Sequence, residues 1–147
     1  MFFGRRRSAV QSILIVEDEP LVAFDTEHFL ALSGYRIQAT VEGYADFSSQ
    51  IAQAAPDLVI ADIRLAGEGT GIDVARLAHQ HGVAVLFVTG HCPVDARDLA
   101  IGCLAKPYAQ RDLLQSIRAA DAILRGKAPG RLPLGLTLFA TLPGNGA

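Results

Sequence analysis

Short apolar runs, each closing on a polar or turn residue, set the pattern of this chain. Ile13-Leu14-Ile15-Val16 runs into Glu17, Leu58-Val59-Ile60-Ala61 into Asp62, and Val83 to Val88 into Thr89-Gly90. Continuous apolar runs of this length, bounded by turn residues, predict strands buried on both faces. Tyr35 to Thr40 alternates, as a strand near a sheet edge does, and Cys103-Leu104 predicts a brief strand ahead of Ala105-Lys106-Pro107-Tyr108. Helical spacing fills the intervals. Pro20 suits a first helical turn, and Leu21 to Leu32 follows, with Gly34 as its stop signal. Val22, Phe29 and Leu32 share a face there, and His28 reads as a packed or half-exposed helix residue. Gly43 to Ala55 carries Tyr44, Phe47 and Ile51 on one face and is closed by Pro56. A helix begins at Gly71 with Ile72, Ala75, Leu77 and Ala78 buried. A short one is expected over Pro93 to Ala100, and a last one over Gln110 to Leu124. Five repeats of strand then helix predict an α/β domain: a parallel sheet, covered on both faces, with right-handed crossovers.

Composition supports one such domain. The chain has 147 residues, half of them hydrophobic, 19% charged, which is ample for a single packed core. A net charge of -2 argues against a general nucleic-acid binder. The basic stretch Arg5-Arg6-Arg7 lies in a leader, residues 1–11, read as solvated, because no long apolar run follows it as an export signal requires. No stretch approaches the roughly 20 apolar residues of a membrane span, and the expected location is cytoplasmic. Cys92 and Cys103 form no CxxC pair and are read as reduced thiols, a disulfide between them having no support in the sequence. From Gly126 the composition shifts to Gly, Pro and Arg and then to Leu-rich sequence. The domain is therefore bounded at residues 12–125, and residues 126–147 form a tail. Its apolar character leaves two readings open: contact with the domain or with a second copy, as in a homodimer, or a poorly ordered terminus.

The candidate chemistry lies at the carboxyl ends of the predicted strands, where open α/β sheets bind ligands. Asp62 stands there, as do Glu17 and Asp18, Thr89 and Lys106. With strand order 2-1-3-4-5 the first and third strands are neighbours, so the three carboxylates crowd together and repel unless a cation joins them. Carboxylate oxygens open to solvent suit Mg²⁺. A carboxylate nucleophile, a divalent cation, an ammonium and a hydroxyl are the parts needed to form and hold an acyl phosphate. By contrast, His79 and His81, two apart and without matching carboxylates, make a poor metal site.

Ile15-Val16-Glu17-Asp18-Glu19-Pro20, Asp62, Val88-Thr89-Gly90 and Lys106-Pro107-Tyr108, in this order and spacing, resemble a response-regulator receiver domain of two-component signalling, over about Ser12 to Arg125. The resemblance implies a CheY-like, flavodoxin-like (βα)5 three-layer sandwich with sheet order 2-1-3-4-5. It implies a non-enzymatic, single-domain phosphoacceptor, at most slowly self-dephosphorylating, whose Asp62 takes a phosphoryl group from a histidine kinase or a phosphotransfer protein and which then signals to a downstream protein through a changed surface. Asp18, Asp62, the backbone carbonyl of Arg64 and, through water, Glu17 would hold Mg²⁺. Thr89 and Lys106 would contact the phosphoryl group, and the bond before Pro107 would be cis. One position departs from the family: Cys103 stands where a switch aromatic is usual, so the usual threonine–aromatic relay is in doubt. Leu86-Phe87-Val88-Thr89-Gly90-His91 is similar to the Phe-Ala-Thr-Gly stretch of the FAT GUY receiver subgroup, associated with kinases of the HWE type, though Val88 replaces the alanine. In that light Gly90 hints at a mobile loop carrying the signal.

Two rival readings stand beside this one. A receiver-like interaction module would not be controlled by phosphorylation, but Asp18, Asp62, Thr89 and Lys106 are all present. An aspartate-nucleophile phosphatase needs a second aspartate two positions on as acid and base, and Arg64 occupies that place.

Overall fold

The computed structural model describes residues 8–93 and 95–139. Its sheet has six strands: β1 (Ser12–Val16), β2 (Arg36–Val41), β3 (Leu58–Ala61), β4 (Ala84–Thr89), β5 (Gly102–Ala105) and β6 (Leu136–Leu138). They lie in the order β2-β1-β3-β4-β5-β6. The first five pair in parallel, as the alternation of strand and helix requires. β1, β3 and most of β4 are buried residue after residue, so each strand feeds both halves of the core. Leu14, Val16, Val59, Val85 and Phe87 turn to one side, and Ile13, Ile15, Leu58, Ile60, Leu86 and Val88 to the other. Each such large side chain, fully withdrawn from water, is worth about 1.5–3 kcal/mol. That burial anchors the strand ends from which the polar residues project.

The α-helices are α1 (Pro20–Leu32), α2 (Tyr44–Gln53), α3 (Gly71–Gln80) and α4 (Gln110–Leu124). α2 buries Phe47 and Ile51, as their spacing predicts, and α4 buries Leu113, Ile117 and Ala120, while Leu124 at its end, at core spacing in the sequence, is 44% exposed. α1 differs. Its inward residues are Thr26 and Leu30, while Leu32, expected on the core face, is 77% exposed along with Leu21 and Phe24. Apolar residues lie all round this helix, so the spacing alone did not single out a face.

Three further expectations are corrected. Among the described residues, the helix expected over Pro93 to Ala100 is only a 3₁₀ turn, Arg97–Leu99. Cys92 is pinned by a disulfide, and the Ile101 amide donates to the Val85 carbonyl at 2.8 Å. The stretch between these anchors is shorter than the roughly 12–15 residues that an isolated α-helix needs. Second, Cys92 and Cys103, read as thiols, are bonded to each other. The chain turns back after Thr89 and brings their Cα atoms to 5.9 Å, a closeness that an 11-residue separation does not announce. Third, the leader is not solvated throughout: Ser8 and Gln11 are exposed, but Val10 is buried, and its amide donates to Asp121 Oδ1 at 2.7 Å. Residues 1–7 lie outside the described residues.

Over its described part, residues 126–139, the tail returns to the domain. β6 pairs antiparallel with β5, setting Leu136 opposite Leu104, Thr137 opposite Cys103 and Leu138 opposite Gly102. Gly102 permits this approach, because a Cβ there would lie 2.6 Å from the Thr137 carbonyl oxygen.

Candidate functional site

The sheet brings the sequence-predicted residues to one rim. β1 and β3 pair with Val16 opposite Ala61, so Glu17 and Asp62 leave adjacent strands at the same level. β4 and β5 pair with Thr89 opposite Ala105, and the Lys106 amide donates to the Thr89 carbonyl at 2.8 Å. Lys106 therefore emerges at the same rim. Its Nζ donates to Asp62 Oδ2 at 2.7 Å and to Glu17 Oε1 at 3.0 Å. The Lys106–Pro107 bond is cis, as the resemblance implies.

The remaining oxygens of both carboxylates meet backbone donors. The Glu19 amide donates to Glu17 Oε2 at 3.1 Å, and the Arg64 amide to Asp62 Oδ1 at 3.2 Å. Asp18 takes no part in the lysine's ion pairs and is partly exposed. Burial pushes the Glu17 carboxyl above its ordinary range, and the hydrogen bonds from Lys106 and the Glu19 amide only partly offset it. For Lys106 burial works against the charge, but hydrogen bonds to Asp62 and Glu17 outweigh it and hold the ammonium well above its usual range. The lysine thus stays charged while serving two carboxylates at once.

Beside Asp62 opens a cavity of about 310 Å³, lined by Asp62, Ile63, Arg64, Thr89, Gly90 and His91. Thr89, at the end of β4, lines this cavity although it is only 4% exposed. One wall residue, Ile63, carried no motif in the sequence. Nor did Gly71, whose amide donates to the Ile63 carbonyl at 2.8 Å. A Cβ at Gly71 would run into the Asp62 carbonyl oxygen and lie 2.6 Å from Ile63 Cα. The start of α3 is therefore seated directly against the backbone that carries Asp62. A capping box fixes that start: the Thr70 hydroxyl accepts from the Ile72 and Asp73 amides, and the Asp73 carboxylate accepts from the Thr70 amide. The pattern Thr70-Gly71-Ile72-Asp73 was the available signal for it.

Among the described residues no three His, Cys, Asp or Glu side chains stand close enough to hold a metal by themselves. The donor set nonetheless suits Mg²⁺, which binds through one or two carboxylates and retains several waters. Glu17, Asp18 and Asp62 supply hard oxygen donors only. Cys103, at the atypical position three residues before Lys106, is fully buried and bonded to Cys92.

Comparison with known proteins agrees with this geometry. The family model described as the response regulator receiver domain matches residues 13–118. The C4-dicarboxylate transport transcriptional regulatory protein DctD of Rhizobium meliloti is 29% identical over 123 residues, covering 78% of this chain and 26% of that protein. The phyllosphere-induced regulator PhyR of Methylorubrum extorquens is 32% identical over 92 residues, covering 60% of this chain and 34% of that protein. The chain spans about a quarter to a half of the length of such curated relatives. Among solved structures, the receiver domain of Erythrobacter litoralis PhyR superposes with a TM-score of 0.69 at 28% identity, covering 76% of this chain and 89% of that one. The signal receiver domain of a modulated diguanylate cyclase from Desulfovibrio desulfuricans superposes with a TM-score of 0.65 at 29% identity, covering 74% and 90%. No helix among the described residues is long and apolar enough to cross a membrane. With its parallel sheet, its lysine-bridged acidic rim and a family model matched over most of its length, this chain belongs to the response regulator receiver domain family.

Proposed function

We propose that the chain is a phosphorylation-controlled switch whose phosphoacceptor is Asp62. One observation carries this reading: the Lys106 ammonium bridges Glu17 and Asp62, and Asp62 shares the lining of a cavity with Thr89. An Asp62 carboxylate oxygen attacks phosphorus as the bond to the donor's nitrogen or oxygen breaks, giving an acyl phosphate. Lys106 Nζ then has a phosphoryl oxygen to pair with in place of the free carboxylate, and the Thr89 hydroxyl donates to another. Asp18, Asp62 and the Arg64 carbonyl, with Glu17 through water, are the residues to hold Mg²⁺. Bound there, the ion screens the acidic rim from the negatively charged donor.

The donor in this reading is a phosphohistidine on a histidine kinase or phosphotransfer protein, met in the cytoplasm. The chain acts as substrate and signal carrier rather than as an enzyme. Output passes to a partner protein through the surface around β5, α4 and the residues after Thr89. Incubation of the full chain with Mg²⁺ and acetyl phosphate, followed by intact-mass measurement, tests the assignment. One added phosphoryl group, lost in Asp62→Asn, is expected; no gain, or a gain that survives the substitution, overturns it.

A further inference from the structure

We propose that the Cys92–Cys103 pair is a thiol–disulfide exchange site whose redox state sets the freedom of the cavity wall beside Asp62. This regulatory role rests on the phosphoacceptor reading of Asp62. Cys92 lies three residues after Thr89 and Cys103 three before Lys106. The bond therefore ties the segment that leaves β4 to the strand that delivers the lysine. Gly90 and His91, which line the cavity, lie between Thr89 and that tether.

Between its ends the segment rests on Ala96, which is buried, on Leu99 and Ala100, which pack against the core, and on Arg97, whose guanidinium lies 5.7 Å from the centre of the Phe139 ring. Its only regular turn among the described residues is the 3₁₀ stretch Arg97–Leu99. Its far end is anchored by the Ile101 amide on Val85. Gly90 is exposed, and no atom lies within 4 Å of where its Cβ would be. Opening the disulfide removes the anchor nearest the cavity and leaves Gly90 and His91 free to rearrange around a group on Asp62.

The two sulfurs are unequal. Cys103 is buried in β5, and Cys92 is partly exposed. An external dithiol reaches Cys92: its thiolate attacks the Cys92 sulfur, and the Cys103 sulfur leaves with the bonding pair and takes up a proton. The reductant's second thiol, as thiolate, then attacks its own sulfur in the mixed disulfide. Cys92 departs with that pair and is protonated. Two electrons have passed to the protein, and the reductant has become a disulfide. Oxidation runs in reverse with a disulfide of the glutathione class, starting from Cys92, since burial in apolar surroundings disfavours a Cys103 thiolate. In a reducing compartment disulfides are rare, and those that form serve chiefly as redox sensors or catalysts.

The test compares the full chain treated with glutathione disulfide against the same chain treated with dithiothreitol, with alkylation under denaturing conditions to count thiols. The oxidised chain should take no alkyl group and the reduced chain two. Hydrogen exchange over residues 90–101 should quicken roughly tenfold on reduction, with β1 and β3 unchanged. With Mg²⁺ and acetyl phosphate, the reduced form should label on Asp62 severalfold faster. Cys92→Ser, which spares the buried position, should behave as reduced in both treatments. Equal exchange over 90–101, or equal labelling of both forms, overturns the redox role while leaving Asp62 as phosphoacceptor. Failure of both forms to label overturns the phosphoacceptor reading and this role with it.

Discussion

Lys106 Nζ lies 2.7 Å from Asp62 Oδ2, and the carboxylate it neutralises is 11% exposed. The same nitrogen serves Glu17, which is 8% exposed, so a single cation balances two nearly buried anions. The rim therefore carries an acidic excess whose effects can be measured.

Replacing Lys106 with methionine leaves Glu17 and Asp62 facing each other without a counter-charge. Breaking so buried a pair should lower stability by about 2–4 kcal/mol, held below the fully buried case by the solvent that reaches Lys106. Mg²⁺ should then stabilise the variant more than the parent, because the ion substitutes for the missing ammonium. Urea unfolding with and without Mg²⁺ checks both effects. An equal Mg²⁺ increment in the two proteins would mean that lysine and cation do not share these carboxylates.

Acidification should weaken Mg²⁺ binding early. Burial raises the Glu17 pKa, so this carboxyl takes up its proton at a higher pH than an ordinary glutamate. A carboxylate must be deprotonated to assist a cation. Affinity should thus begin to fall above the ordinary glutamate range of about pH 4.3. Calorimetric Mg²⁺ titrations at a series of pH values should show this limb moving to lower pH in Glu17→Gln. An unmoved limb would assign it to another group.

Gly71→Ala should disturb Asp62 from behind. The added methyl meets the Asp62 carbonyl and Ile63 Cα, so α3 or the end of β3 must shift. Overpacking of this kind costs about 1–3 kcal/mol. Labelling by acetyl phosphate should slow even though no side chain of the site has changed. Thermal unfolding and mass-detected labelling of the same sample check the two effects, and a stable, fully active variant would refute the close packing.

Gly102→Ala should loosen β6. Its methyl would sit 2.6 Å from the Thr137 carbonyl oxygen, on the partner strand rather than in the core. Limited tryptic cleavage at the exposed Lys127 and Arg131, in the connection to β6, should accelerate while the rest of the domain stays protected. An unchanged cleavage rate would show that the strand accommodates the methyl.

Those features legible in the sequence are the ones that depend on neighbours in the chain. Ile13-Leu14-Ile15-Val16 and Leu58-Val59-Ile60-Ala61 announced buried strands because nothing in them is polar, and both emerge as β1 and β3. Glu17, Asp62, Thr89 and Lys106 could be placed at one rim because parallel strands end on the same side. The Cys92–Cys103 bond and the β5–β6 pairing depend on where a turn or a tail comes to rest, which local pattern does not encode. Leu32 pointed outward because a helix with apolar residues on every side offers no preferred face. Gly71 and Gly102 escaped notice for a related reason: their importance is the absence of an atom where another segment passes.

The antiparallel β6 also decides where the sheet stops. Without it, β5 would present a bare row of amides and carbonyls from Gly102 to Ala105, a template onto which a strand of another molecule can hydrogen-bond. A three-residue border is a much poorer template than an uncovered inner strand. Removal of the Leu136–Leu138 stretch should therefore show itself as concentration-dependent self-association, visible by light scattering, before any loss of helix content.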